Sequence, residues 1–184
     1  RMAKTEKGSG GQRANAEEIL ILDPTDREAL SIVAWSEFEK GNYKLSESLF
    51  KQLWLDEPKN RDYALGLGYS RLNQGRLADA LEPLEHGGID NDARTLELKA
   101  LVYKARARKA YANKDWQVAG DNFEAALLID PHDSDLKSQL AWTRLQHNRR
   151  EEALELMESV YAEEDSAEAA SALLDLYRSV EDEK

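Results

Sequence analysis

The chain has 184 residues with a formal net charge of −11, so a general nucleic-acid binder is excluded, because phosphate contacts need a basic surface. It has no cysteine, which excludes disulfides, cysteine-based zinc sites and thiol nucleophiles. No apolar run approaches the roughly 18 residues that a spanning helix needs, so no direct membrane insertion is expected, and no signal peptide is visible.

Residues 1–12, RMAKTEKGSGGQ, are polar and glycine-rich without periodicity, and read as a disordered tail or linker. Residues 13–26 follow, with Ala14, Ala16, Ile19 and Leu20 ahead of Leu22-Asp23-Pro24. This has the pattern of a second helix whose first helix is missing. Together with the start at Arg1, it is what an excised piece of a longer array would show.

The next unit, 27–60, has Leu30, Val33, Ala34 and Phe38 on one helical face, a turn at Gly41-Asn42, and Leu45, Leu49, Phe50 and Leu53 on a second helix. The unit 61–94 begins in the same way, with Leu67-Gly68 and a turn at Gly75, and then departs from the pattern. Pro83 falls where a helix interior is expected, at a cost of about 3 kcal/mol, and Gly87-Gly88 follows, so a short or kinked helix is expected over 77–86. Unit 95–133 absorbs five extra residues. Asp92 is a plausible N-cap and nothing breaks a helix before Asn113, so its first helix should exceed its neighbours by about two turns. Unit 134–167 has Leu140-Ala141, a turn at His147-Asn148, then Ala153, Leu154, Met157 and Val160, and a terminal helix over 168–184 covers the end, either as a cap or as the first helix of a repeat that continues.

One ruler underlies these units. The helix-stopping prolines Pro24, Pro58 and Pro131 are spaced by 34 and 73 residues. The turn column Gly41, Gly75, Lys114 and Asn148 is spaced by 34, 39 and 34, as are the small columns Ser46, Ala80, Ala119, Ala153 and Ala34, Gly68, Ala107, Ala141. Phe50, Leu84, Phe123 and Met157 keep the same step. A period near 34 means a solenoid of helix-turn-helix units. The stretch AYANKDWQVAGDNFEAALLIDPHD, with Ala119, Phe123 and Pro131 in place, and Ser46, Phe50 and Pro58, resemble tetratricopeptide (TPR) repeats. The resemblance implies an all-α TPR α-solenoid of about ten helices, a right-handed superhelix that serves as a non-catalytic scaffold binding a protein partner in its concave groove. The chaperone-binding carboxylate clamp of one subclass is absent, since the matching places hold Ser31, Trp35, Gly66, Leu101 and Ala105. The phrases LGYSRLNQGRLADALEPLE and AWTRLQHNRREEALELM resemble repeats of bacterial exopolysaccharide export proteins, of the type that serves cellulose synthase and Pel secretion. That narrower resemblance implies a periplasmic location, with a cytoplasmic bacterial TPR adaptor as the alternative.

The register places Trp35, Tyr69, Arg108 and Trp142 in one concave-facing column and Lys104 in a second. Phe38, Leu72, Tyr111 and Leu145, one turn on, read as core. Trp35, Tyr69, Lys104, Arg108 and Trp142 are therefore the candidate partner-binding residues, because aromatic rings and arginine suit interface hot spots. The same rings would equally pack between helices as core, or stack sugars if the groove took polysaccharide. Charge is polarised: 94–114 carries 7 basic and 1 acidic residues, whereas 151–184 carries 12 acidic and 2 basic. The basic stretch Lys99, Lys104, Arg106, Arg108 and Lys109 fits a partner with an acidic segment, or else a solvated face neutralised within the stack. No cofactor, metal or catalytic site is expected. His86, His132 and His147 lack ligand spacing, and neither a phosphate loop nor a nucleophile elbow occurs.

Overall fold

The computed structural model describes residues 6–182, and among them lie ten helices and no strand. In chain order these are α1 (Glu6–Leu22), α2 (Arg27–Glu39), α3 (Tyr43–Asp56), α4 (Arg61–Asn73) and α5 (Glu82–Gly87). The remainder are α6 (Ala93–Ala112), α7 (Trp116–Leu127), α8 (Ser134–Gln146), α9 (Arg150–Glu164) and α10 (Ala167–Asp182). From α1 to α5 and again from α7 to α10, helices adjacent in sequence pack on one another, as in a TPR-type α-solenoid.

The caps and turns that start and stop these helices recur with the repeat. Asp26, Asn60, Asp133 and Ser166 each accept a backbone N–H of the first turn that follows, from Ala29 at 2.8 Å, Asp62 at 3.1 Å, Leu136 at 2.9 Å and Ala169 at 3.0 Å. At the other end, Gly41, Gly75, Lys114 and Asn148 all adopt positive φ, between 60° and 81°. The residue after each donates its N–H five residues back: Asn42 to Glu37, Arg76 to Arg71, Asp115 to Ala110 and Arg149 to Arg144, at 2.8–3.0 Å. The expected turn column is thus one Schellman closure made four times, in which a lysine and an asparagine tolerate the left-handed region that glycine favours.

The chain forms two compact units, Arg1–Leu98 and Lys99–Lys184, with α6 contributing residues to both. In the first, Phe50, Leu53, Leu65, Leu67, Leu81, Leu84 and Leu98 are fully buried. In the second, Ala107, Ala119, Phe123, Ala126, Leu136 and Leu140 form one cluster, and Ala141, Leu145, Ala153, Met157, Val160, Leu176 and Val180 another. The small columns let backbones approach: a Cβ on Gly68 would lie 2.6 Å from Leu98 Cδ2 and 2.8 Å from the Ala80 carbonyl.

Three sequence expectations meet the structure directly. The 20-residue α6 exceeds the 13 residues of α2, α4 and α8 by about two turns, as its unbroken pattern requires. The helix expected over 77–86 is shorter. Residues 77–81 form turns, and α5 begins at Glu82 with Pro83 in its first turn, where the missing N–H has no intrahelical partner to lose. The interior cost is therefore avoided by starting late, and Gly88 ends α5 in the left-handed region at φ 59°. The linker expected over 1–12 differs too: residues 1–5 lie outside the described residues, while Glu6 to Gln12 extend α1. Once α1 is docked through Ala16, each added residue gains a hydrogen bond without a new nucleation cost, which offsets the poor propensity of its glycines.

Two helix-interior glycines give opposite expectations. A Cβ on Gly66 would lie 2.5–2.6 Å from three ring atoms of the fully buried Phe50, so Gly66→Ala should lower the unfolding free energy by about 1–3 kcal/mol through overpacking. At Gly120 the nearest atom is Arg144 Nη1 at 3.0 Å, the far end of a flexible side chain that need shift by only a few tenths of an ångström to admit a methyl group. Gly120→Ala should therefore raise stability by about 0.5–1 kcal/mol from reduced chain entropy. Urea unfolding of the two variants beside the parent checks both signs.

Candidate partner-binding site

The candidate residues divide between the two units. In Arg1–Leu98, Trp35 on α2 and Tyr69 on α4 are both half-buried. Trp35 meets Phe38 and Phe50 edge-on, with centroids 5.7 and 4.8 Å apart, and Tyr69 meets Phe38 at 6.3 Å. Desolvation pushes the Tyr69 hydroxyl above its ordinary pKa. Both rings are thus held by packing contacts while part of each remains exposed.

In Lys99–Lys184, Arg108 and Trp142 come together. With Tyr111, Phe123 and Gln139 they line a cleft of about 180 Å³, built by α6, α7 and α8. Phe123 is its floor, only 1% exposed. Trp142 is half-buried and packs against the cluster around Ala141, Leu145 and Met157. Tyr111, which reads as core in the sequence, is instead 37% exposed, its ring edge-on to Trp116 at 5.1 Å. Phe38 and Leu72 of the same column are half-buried and Leu145 is buried. Arg108 is exposed, and its Nε donates to Gln139 Oε1 at 3.2 Å. The result is an apolar slot, sized for one side chain, with a cation at its rim.

Lys104 has other work. Its Nζ donates to Asp133 Oδ2 at 2.6 Å, and Asp133 is the N-cap of α8. Lys104 therefore ties α6 to the start of α8, in place of standing open for a ligand. Desolvation pushes the Asp133 carboxyl up, but the hydrogen bonds from Lys104 and the Leu136 amide outweigh it and hold the pKa below the ordinary value. Within the basic stretch, the Arg106 guanidinium also lies 6.0 Å from the Tyr103 ring centroid.

Sequence reading missed a column of buried charge. Glu37, Arg71 and Arg144, three residues after Ala34, Gly68 and Ala141, are 4%, 5% and 3% exposed, and the place after Ala107 holds the buried Ala110. Glu37 pairs with Arg13 of α1 and accepts from Asn42 at 2.6 Å; the Asn42 bond first, and Arg13 next, hold its pKa below the carboxylate norm. Arg71 Nη1 donates to the Asp79 carbonyl at 2.7 Å and to Glu82 at 2.8 Å, and its Nε reaches Glu47 at 3.4 Å. Arg144 pairs with Glu124 and, at 3.2 Å, with Glu152. The 34-residue ruler would have found this column, had polar residues been tracked along it.

The acid limb of stability has a stated sign. Because Asp133 is depressed in the folded state, it stabilises the fold above its unfolded pKa, and that contribution is lost as pH falls through the folded value. Asp133→Asn, which can still cap α8, should flatten the loss of stability on acidification, and urea unfolding between about pH 6 and pH 3 reads this directly.

Residues 110–177 match the family model described as tetratricopeptide repeat. No curated protein matches the sequence. Among solved structures, "MamA AMB-1" is similar at 20% identity and TM-score 0.61, over 90% of this chain and 93% of that one. A second MamA structure has 17% identity and TM-score 0.57, over 83% and 81%. BtubC (BKLC) from P. vanneervenii has 14% identity and TM-score 0.54, over 98% and 85%. At these identities the likeness is one of fold. The fold is that of the TPR solenoids, and the stretch 110–177 is the part that also matches the tetratricopeptide repeat in sequence.

Proposed function

We propose that this chain is a non-catalytic scaffold that captures a segment of a partner protein through the cleft of Arg108, Tyr111, Phe123, Gln139 and Trp142. One observation carries the reading: an apolar slot of about 180 Å³ with Phe123 beneath, Trp142 beside it and an exposed arginine at the rim. Such a slot suits one leucine or aromatic side chain of the segment, and Arg108 suits a carboxylate next to it. The basic 94–114 stretch in an otherwise acidic chain steers the same kind of segment.

The carbohydrate reading draws less support, because Trp35 and Tyr69, two of the three rings it would use, are half-buried in edge contacts with Phe38. We extend the proposal to a bacterial envelope setting, the periplasmic TPR part of an exopolysaccharide secretion protein. That extension is supported only by the phrases LGYSRLNQGRLADALEPLE and AWTRLQHNRREEALELM.

The experiment titrates short peptides carrying one phenylalanine or leucine beside two glutamates, read by tryptophan fluorescence, with glutamine-for-glutamate peptides as controls. Arg108→Glu should weaken binding at least about tenfold with little change in thermal midpoint, since it loses one exposed contact. Trp142→Ala should abolish it. Lys104→Glu should lower stability as well, because it breaks the tie to Asp133. Equal binding of the glutamine peptides, or saturable fluorescence change with oligosaccharides alone, would remove the proposal.

A further inference from the structure

The repeat register gives a meaning to the outer face of α10. Counting from each cap, the eighth residue of the first-type helices α2, α4 and α8 is Ala34, Gly68 and Ala141, all buried. The eleventh is Glu37, Arg71 and Arg144, all at most 5% exposed. In α8 this surface is covered by the next helix: Ala141 and Leu145 cluster with Ala153 and Met157 of α9. Ser166 caps α10 in the same way, so the matching residues there are Leu174 and Tyr177. They are 56% and 39% exposed.

Ala167, Ala170, Leu174 and Tyr177 share one helical face, at spacings of three and four residues. Carboxylates predominate on and beside this helix: Glu164, Asp165 and Glu168 are exposed, Asp175 pairs with Arg178 at 3.4 Å, Glu163 pairs with Lys137 of α8 at 2.6 Å, and the Tyr177 hydroxyl donates to Glu158 at 2.5 Å. Residues 151–184 together carry 12 acidic and 2 basic side chains. A second copy would bring the same excess of negative charge against the first.

We propose that this face docks a basic amphipathic helix of a partner protein, laid along α10 as α9 lies along α8. The register sets the shape of the occupant, since the homologous surface of α8 is covered by a helix. The carboxylates set its charge. Leu174 stands where the inner helices have alanine or glycine, so the arriving helix presents a small residue at the crossing and keeps leucines for the alanine half of the stripe.

The test uses the full chain and a designed 18-residue amidated peptide with leucine and alanine along one helical face and lysines on both flanks, beside its glutamate counterpart. The lysine peptide should bind and gain helicity by circular dichroism, and its affinity should fall at least about fivefold between about 50 and 300 mM salt. Leu174→Glu should weaken it at least about tenfold with the thermal midpoint held within about 2 °C, because this side chain is exposed. Arg108→Glu should leave it unchanged, which separates this face from the cleft. The proposal is overturned by no binding, by equal binding of the glutamate peptide, or by unchanged affinity in Leu174→Glu. It is overturned equally by sedimentation as a dimer that Leu174→Glu converts to monomer, since a second copy would then be the occupant.

Discussion

The close approach of backbones at the small-residue positions is the constraint on which the rest depends. At Gly68 there is no room for a methyl group between the α4 backbone, the Ala80 carbonyl and Leu98, and at Gly66 none between the backbone and the ring of Phe50. Helices this near bury their facing side chains completely with few large residues. That is how a chain with only 41% hydrophobic residues, many of them alanine, builds a close-packed interior. The turns serve the same constraint. A Schellman closure at Gly41, Gly75, Lys114 and Asn148 returns the chain at one fixed geometry each time, so the second helix arrives at the distance the small column demands.

Much of this was legible because it depends on local chemistry repeated at a fixed spacing. The turn column, the length of α6 and the cap at Asp92 each follow from residue types that act within one turn of the chain. Pro83 shows the limit. Its cost in a helix interior is a local property, but whether the chain bears that cost or starts the helix later depends on the packing of Leu81 and Leu84, both buried, which fix α5 from outside. Lys104 shows another. A lysine in a basic stretch looks open to a ligand, and only the meeting of α6 with the α8 cap, 29 residues on, reveals that Asp133 already holds it.

The buried charges show how one column can keep its position while its chemistry changes. Arg71 draws on Glu47, which stands one residue after Ser46 in the small column of α3. The matching place in α7 is Gly120, so Arg144 has no carboxylate there, and it turns to Glu124 one helical turn further on. One Arg144 nitrogen is left buried without an acceptor. The partners differ in burial as well: Glu124 and Glu152 are about half exposed and would return to water if Arg144 were removed, whereas Glu47 is 13% exposed and would depend on Arg76 and Gln74 if Arg71 were removed.

The same logic separates packing from recognition. Trp35 and Tyr69 share their column with Arg108 and Trp142, and the first two lie edge-on to Phe38 while Trp35 also meets Phe50. In the second unit the residue at the Phe38 position is Tyr111. Its ring meets Trp116 edge-on at 5.1 Å, much as Phe38 meets Tyr43 at 5.3 Å, so that contact is kept. The difference lies at the Trp35 position, where Arg108 turns to Gln139, so the space that Trp35 fills over Phe50 is left open above Phe123. A cleft arises where a repeat fails to fill its own column, and Arg108 at its edge determines which chemistry can enter.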